Sequence, residues 1–360
     1  MEINLYFLYN FYYELKDMSP HDNIVKFINS YVSENNLDEV MKNEIPRKWE
    51  KYGDFVLFDQ RTFESNVWKC QAETFWKKIA EILKCKRLAV KNKIKNDGYR
   101  TPNVTLLLGN DPWIMYKDNN ILYTWNVEKS MFSAGNVTER HRIALFNCDN
   151  EVVIDLFAGI GYFTLPYIVH AKAKFVYACE WNPVAVEALR RNLELNKISD
   201  KCIILEGDNN LLCPKKKGNR INLGLIPTSS SHWKIACEAL VEDGGILHIH
   251  ENVETKKLEI DCNICSDLTL GKNINDWNKN ISLKSDENII CLSEVNINWK
   301  YKQWLIKGIH ILHSLITILR NMDNNRTWCC SVDNINFVKS YAPNVHHLVY
   351  DVKISNSKKV

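Results

Sequence analysis

The rhythm of hydrophobic and polar positions changes near residue 142. Before that point, short apolar runs such as "GDFVLF", "VTLLLG" and "WIMYKDNNILYTWNV" surround one amphipathic stretch, residues 72–83. Apolar residues in that stretch recur three and four apart, which predicts a helix. Asp118-Asn119-Asn120, between two aromatic-rich runs, predicts a hairpin turn. Residues 45–142 therefore read as a small α+β domain, and residues 1–44 as a weakly specified, helix-like N-terminal extension.

Beyond Arg142 strand-like and helix-like patterns alternate. Residues 152–157, 175–179, 202–206, 221–226 and 245–250 are near-continuous apolar runs, separated by helical patterns at 162–170 and in "NPVAVEALRRNLELN". Pro183 stands in the first turn of the latter, where its missing N–H costs nothing. Strands buried on both faces and joined by helices predict an α/β fold with a doubly wound, mostly parallel sheet. "TWCCSV" and "HHLVYDV" are expected to close it as an antiparallel pair, so the sheet domain spans 143–254 and 299–360. Residues 255–298 are rich in Asn, Lys, Asp and Ser and read as a low-complexity insertion with little order. "WLIKGIHILHSLITIL" falls short of the ~20 residues of a membrane span and carries Lys307, His310 and His313, so it is expected to pack on the sheet.

Composition narrows the class only a little. The chain has 360 residues, 46% hydrophobic and 25% charged, which suits about two soluble domains. A net charge of +3 selects no partner. Its distribution is more informative, because Lys84, Lys86, Arg87, Lys91, Lys93, Lys95 and Arg100 form a stripe opposed only by Asp97. Such a stripe either neutralises phosphates or is simply a solvated surface. The opening residues lack a basic leader and a cleavage site, so no signal peptide is expected. The twelve cysteines read as reduced thiols of a cytoplasmic protein that holds no metal.

The candidate chemistry begins at "VVIDLFAGIGYFTLPY". Asp155, Gly159 and Gly161 form D-x-x-x-G-x-G at the end of the first strand, where ligands of doubly wound sheets bind. A dinucleotide fingerprint would place a third glycine where Thr164 stands, which weakens a nicotinamide reading. Glu180, after the second strand, is suited to accept ribose hydroxyls, and Asp208 beside Asn209, after the third, to receive an adenine amine. Adenosine recognition without a diphosphate grip suggests S-adenosylmethionine. Each residue also has a plainer reading: Asp155 as a helix cap, Glu180 as a first-turn acid, Asp208-Asn209 as a turn. Their joint occurrence after three successive strands favours the site. After the fourth strand, "INLGLIPTSSSHW" has Ile226 before Pro227 and Thr228 after it. No polar side chain precedes the proline, which argues against the usual methylation of an exocyclic amine.

Taken together, "YRTPNVTLLLG", "MFSAGNVTERHR", "DLFAGIGYFTLPYIVHA", "ACEWNPVAVEALRRNLELN", "GDN", "INLGLIPTSSSHW", "GGILHIHENV" and "VKSYAPNVHHLVYDV" resemble one family. It is the tRNA wybutosine-synthesizing 3-amino-3-carboxypropyltransferases, which are related to the tRNA guanine-37 N1-methyltransferases. "LGLIP" before a Ser/Thr-rich turn and Trp is similar to the aminocarboxypropyl branch. The resemblance implies a Rossmann-like class I methyltransferase fold and S-adenosylmethionine as group donor. The implied acceptor is a tricyclic guanosine derivative at position 37 of phenylalanine tRNA, next to the anticodon. The family pattern implies that Ser133, Arg140, Glu180, Asp208 and Asn209 contact the donor, with Arg140 standing where lysine is usual. Ser230 stands where the family has an acid, so no general base is named. Pro227, Thr228 and His250 are expected on the substrate side, as is His248, and Lys91, Lys93 and Arg100 on tRNA phosphates. The alternatives are an N1-methyltransferase on the same fold and a non-catalytic tRNA-binding protein. No membrane partner is expected.

Overall fold

The computed structural model describes residues 18–92, 102–130, 132–255, 281–284, 290–292 and 299–358. The chain divides into two compact units, Met1–Asp118 with Leu122–Phe132, and Asn119–Ile121 with Ser133–Val360.

In the first unit, helix Pro20–Glu34 starts at Ser19, whose hydroxyl accepts from the Asp22 amide. Its buried face, Ile24, Ile28 and Val32, follows four-residue spacing. That face joins Phe75, Trp76 and Ile79 of helix Glu73–Ile82 in one apolar cluster with Val56, Phe58 and Leu88. The helix is thus part of the small unit's core, not an extension to it. The strands are β1 (Trp49–Tyr52), β2 (Phe55–Phe58), β3 (Arg87–Lys91) and β4 (Val104–Leu108), which form a sheet in that order. β5 (Trp113–Asp118) and β6 (Ile121–Asn126) make the expected hairpin. Asn119 and Asn120 both adopt positive φ, 46° and 62°, as its tight turn requires.

The boundary falls after Phe132, ten residues before the one expected. Helix Val137–Ile143 belongs to the second unit because it is tied there by charge: Arg142 bonds Glu139 on its own helix and Asp351 on the last strand.

The second unit is built on β7 (Val152–Asp155), β8 (Phe175–Glu180), β9 (Cys202–Glu206), β10 (Arg220–Leu223) and β11 (Gly244–Glu254), followed by β12 (Ile281–Lys284), β13 (Ile290–Leu292), β14 (Arg326–Ala342) and β15 (Val345–Lys358). Their order is β13-β12-β14-β15-β11-β10-β7-β8-β9. β7 to β11 run parallel, and β15, β14, β12 and β13 add antiparallel. Two short strands of the expected disordered insertion therefore extend the sheet on β14. Their three- and four-residue lengths leave too little alternation to be seen in sequence.

One sheet face is apolar. Ile154, Ile221, Leu223, Leu247, Ile249, Leu348 and Tyr350 pack beneath helices Trp233–Ala239 and Trp299–Met322 in a single cluster. The other face carries a polar row at matching register: Asp155, Asn222, His248, Asp351 and Asn334 stand on neighbouring strands. The row is bonded across the sheet, with Asn222 donating to Asp155 (3.0 Å) and Asn334 to Asp351 (3.0 Å). Arg220 donates to His248 Nε2 (2.8 Å), which leaves Nδ1–H to donate to Asp351. The inner parallel strands are buried on both faces as expected, but one face is polar, because a residue inside a sheet can be polar when a cross-strand neighbour bonds to it.

His248, His250 and His347 are buried, and burial lowers the pKa of each, that of His347 to about 4. All three are neutral in both states above the usual histidine value of about 6.5. Below it the unfolded chain takes up protons that the folded chain refuses, so stability is lost as pH falls from ~6.5 toward ~4. Calorimetry should show Tm dropping between about pH 7.5 and 5, with a shallower slope in His347→Gln. An unchanged slope in that variant would contradict the assignment.

Candidate functional site

The turn after β7 is shaped by the protein's own atoms. Gly159 and Gly161 have φ of +56° and +97°, the left-handed region that side chains disfavour. A Cβ on Gly159 would lie 2.8 Å from the Tyr162 ring, and one on Gly161 2.2 Å from Leu165 and 2.8 Å from Leu189. The glycines were expected to admit a ligand. The contacts there are internal instead, and they seat the following helices against the turn. Thr164, at the position of the missing third glycine, donates its hydroxyl to Asp155 Oδ2 (2.8 Å). Asp155 is fully buried, and burial raises its pKa against the opposing bonds from Asn222 and Thr164. It therefore anchors the turn and does not face solvent.

The carboxylates after β8 and β9 are held differently. Glu180 accepts from the Gly159 amide (2.7 Å) and the Asn182 amide (2.8 Å), so it locks the glycine turn to the start of the next helix. Burial raises its pKa, and the backbone N–H groups oppose that shift. Asp208 is fully exposed, and its pKa is lowered by bonds from the backbone and side chain of Asn210. The carboxylate therefore stays charged in solvent. Asn209 is buried with its amide donated to the Leu156 carbonyl (2.8 Å), which ties the Asp208 turn to the glycine turn. The two acids end adjacent parallel strands, with the Gly207 amide on the Glu180 carbonyl at 2.9 Å.

Ser133 and Arg140 also belong to this unit. Arg140 is 2% exposed and donates to the Ser133 carbonyl (3.1 Å), while the Ser133 amide donates to Tyr162 Oη (3.3 Å). A buried cation, a phenol raised in pKa by burial, and the glycine turn are thus linked. Lys339 of β14 brings a second cation, since its ammonium reaches 2.1 Å from where a Gly135 Cβ would stand.

The stretch after β10 folds back over the end of β11. Thr228 bridges Glu251, and its hydroxyl donates to Glu251 Oε1 (2.6 Å). The Pro227 carbonyl accepts from the Asn252 amide (2.7 Å). Gly224 lies against Phe163 and the His232 ring against Phe157, so this stretch flanks the glycine turn. His250 is buried against Phe163 and bonded to His347 (3.0 Å), and its Nε2 has no hydrogen-bond partner among the described residues. His248 is committed to the polar row.

Lys91, expected on phosphate, is half-buried and paired with Glu50 at 2.7 Å, with Asp59 at 3.9 Å. It lines a cavity of about 310 Å³ inside the first unit, with Tyr52, Trp125 and Phe132. Its charge is neutralised there, so it is not a free phosphate contact. Lys93 and Arg100 lie outside the described residues, as does the Cys262/Cys265 pair, a C-x-x-C spacing that the reading of scattered thiols overlooked. Among the described residues no His, Cys, Asp and Glu cluster is arranged for a metal ion, and no helix is long and apolar enough to cross a membrane. Tyr162, His232, Lys339 and Glu251 were missed by sequence reasoning. Only Glu251 left a signal there, as an acid closing the apolar run of β11.

Comparison with known proteins agrees with this geometry. The TRM5/TYW2 methyltransferase domain family matches residues 114–264, and the TYW2 N-terminal domain family residues 28–112. The chain is 39% identical over 341 residues to the tRNA wybutosine-synthesizing protein 2 homolog of Danio rerio, covering 94% of this chain and 79% of that protein. It is 38% identical to the tRNA wybutosine-synthesizing protein 2/3/4 of Arabidopsis thaliana, spanning 96% of this chain but 30% of that longer protein. Among solved structures, M. jannaschii TYW2 in complex with AdoMet is similar at TM-score 0.53 and 25% identity, covering 86% of this chain and all of that one. P. horikoshii TYW2 in complex with MeSAdo shares the fold at TM-score 0.61 and 24% identity, covering 92% and 99%.

Thr164→Val would remove a bond to a buried carboxylate whose pKa burial already raises. A stability loss of about 1–3 kcal/mol is expected, read from the denaturant midpoint. No loss would mean that Asp155 does not depend on this hydroxyl.

Proposed function

The chain belongs to the tRNA wybutosine-synthesizing protein 2 family, and we propose that it transfers the 3-amino-3-carboxypropyl group of S-adenosylmethionine to the tricyclic precursor base at position 37 of phenylalanine tRNA, releasing methylthioadenosine. The observation that supports this most is the acceptor set at the ends of β8 and β9. Glu180 ends β8 and Asp208 follows the end of the adjacent β9, one partly buried and one exposed. A ribose diol and an adenine amine are donors and suit such a pair. The glycine turn itself contributes no cation to hold a diphosphate. The residues present therefore fit an adenosine-bearing sulfonium.

On this reading Glu180 takes the ribose and Asp208 the adenine amine. Asn209 serves by holding the Asp208 turn against Leu156. Arg140, with Ser133, takes the methionine carboxylate, and its burial lets one charge-assisted bond count for more than it would in water. The donor supplies a sulfonium with three electrophilic carbons, and orientation decides which is displaced. A clamp at both ends of the donor is how these residues choose the propyl carbon over the methyl. The loop after β10 has no polar side chain immediately before Pro227, where amine methyltransferases hold an exocyclic amine, which argues against amine methylation. tRNA is the partner, and Lys93 and Arg100 are proposed for its phosphates.

Two measurements test the reading. With S-adenosylmethionine labelled separately in the methyl and the carboxyl carbon, only the carboxyl label should enter phenylalanine tRNA that carries the tricyclic precursor. Methyl label alone would move the chain to the methyltransferase branch. Arg140→Ala should weaken donor binding, by calorimetry, on the order of 10- to 100-fold, the loss expected of a charge-assisted bond, and leave tRNA affinity nearly unchanged. Unchanged donor affinity would remove Arg140 from the site.

A further inference from the structure

A carboxylate interrupts the apolar face of β11. Leu247, Ile249 and Val253 alternate into the cluster beneath helix Trp299–Met322, and Glu251 stands between the last two, 1% exposed. Both of its oxygens are engaged. Oε1 accepts from Thr228 Oγ1 at 2.6 Å, and Oε2 lies 2.9 Å from Lys307 Nζ on that helix. A buried ion pair is a poor way to gain stability, since well-packed apolar residues in its place are often neutral or better. What this pair does achieve is attachment.

Thr228 has its hydroxyl fixed twice, as donor to Glu251 and as acceptor from the Ser230 amide at 3.2 Å. The Asn252 amide adds a bond to the Pro227 carbonyl. Residues 224–230 are therefore pinned at one end to β11 and the long helix. At the other end they touch the glycine turn, through Gly224 on Phe163 and, just beyond them, His232 on Phe157. β10 and β7 are adjacent, so this loop and the glycine turn leave neighbouring strands.

We propose that Glu251, neutralised by Lys307, is a positioning residue that acts through Thr228. It holds loop 224–230 at the spacing from the glycine turn that brings the acceptor base opposite the propyl carbon of the donor. The Thr228 hydroxyl is thereby committed to the protein and not to the substrate. This rests on the proposed function for the identity of the groups, but not for the existence of the anchor.

The test combines hydrogen exchange with a mutant cycle on the full chain. Thr228→Val should speed amide exchange in residues 224–230. It should lower the transfer rate on the order of 10- to 100-fold, the scale expected of a misplacement near 1 Å, with donor affinity close to wild type and a lowered Tm from the bond lost to buried Glu251. Thr228→Ser, which keeps the hydroxyl, should restore the rate to within about threefold of wild type. Glu251→Gln and Thr228→Val should be non-additive, the double variant being no slower than the slower single one. Unchanged exchange in the loop, a full rate in Thr228→Val, or additive losses would each overturn the proposal. Wild-type protein that transferred methyl instead would refute the proposed function alone, because exchange and the cycle can be read on either product.

Discussion

A row of polar side chains, buried at Asp155, Asn222 and His248 and opening to solvent at Asn334, crosses five strands of the large sheet, and much of the second unit is arranged around it. Asp155, Asn222, His248, Asp351 and Asn334 each find a partner on the next strand or close by. Arg142 and Arg220 close the ends through Glu139, Asp351 and Glu151. Apart from Asn222 Oδ1, which has no partner among the described residues, the buried groups of the row would cost desolvation if unpaired, so register along β7, β10, β11, β15 and β14 is strongly specified. A slip by one residue would bury these groups against the apolar helices and turn the core face outward.

The same register positions the site. Asp155 ends β7 inside the row, and from it the chain enters the glycine turn, pinned by Thr164 on one side and by Glu180 on the Gly159 amide on the other. Asn209 then ties the turn after β9 to Leu156. Most of the residues that sequence reasoning assigned to a ligand first hold each other. Such mutual support keeps Glu180 and Asp208 in fixed places, the preorganisation that their proposed contacts to the donor call for.

Much of this was legible from one-dimensional pattern. The parallel strands, the helix on the sheet, the closing antiparallel pair and the hairpin at Asn119-Asn120 each carry a local signal: an apolar run, a capping residue or a turn dipeptide. The glycine turn and its two acids were legible for the same reason. Other features were not. Lys91 reads as a free cation until Glu50, 41 positions earlier, is seen beside it. Helix Val137–Ile143 reads as the end of the small domain until Asp351 claims Arg142. The strands β12 and β13 are too short to announce themselves.

The sequence by itself determined the alternation of strands and helices, the left-handed turn at Gly159 and Gly161, and the presence of acids after successive strands. These are contacts between near neighbours, governed by backbone sterics and by periodic burial. Only the tertiary structure decided which polar residues are spent on the protein: His248 in the row, Thr228 on Glu251, Asn209 on Leu156, Lys91 on Glu50. The physical reason is that a hydrogen bond inside the fold depends on partners far apart in the chain, and a side chain's type states what it can bond but not with whom.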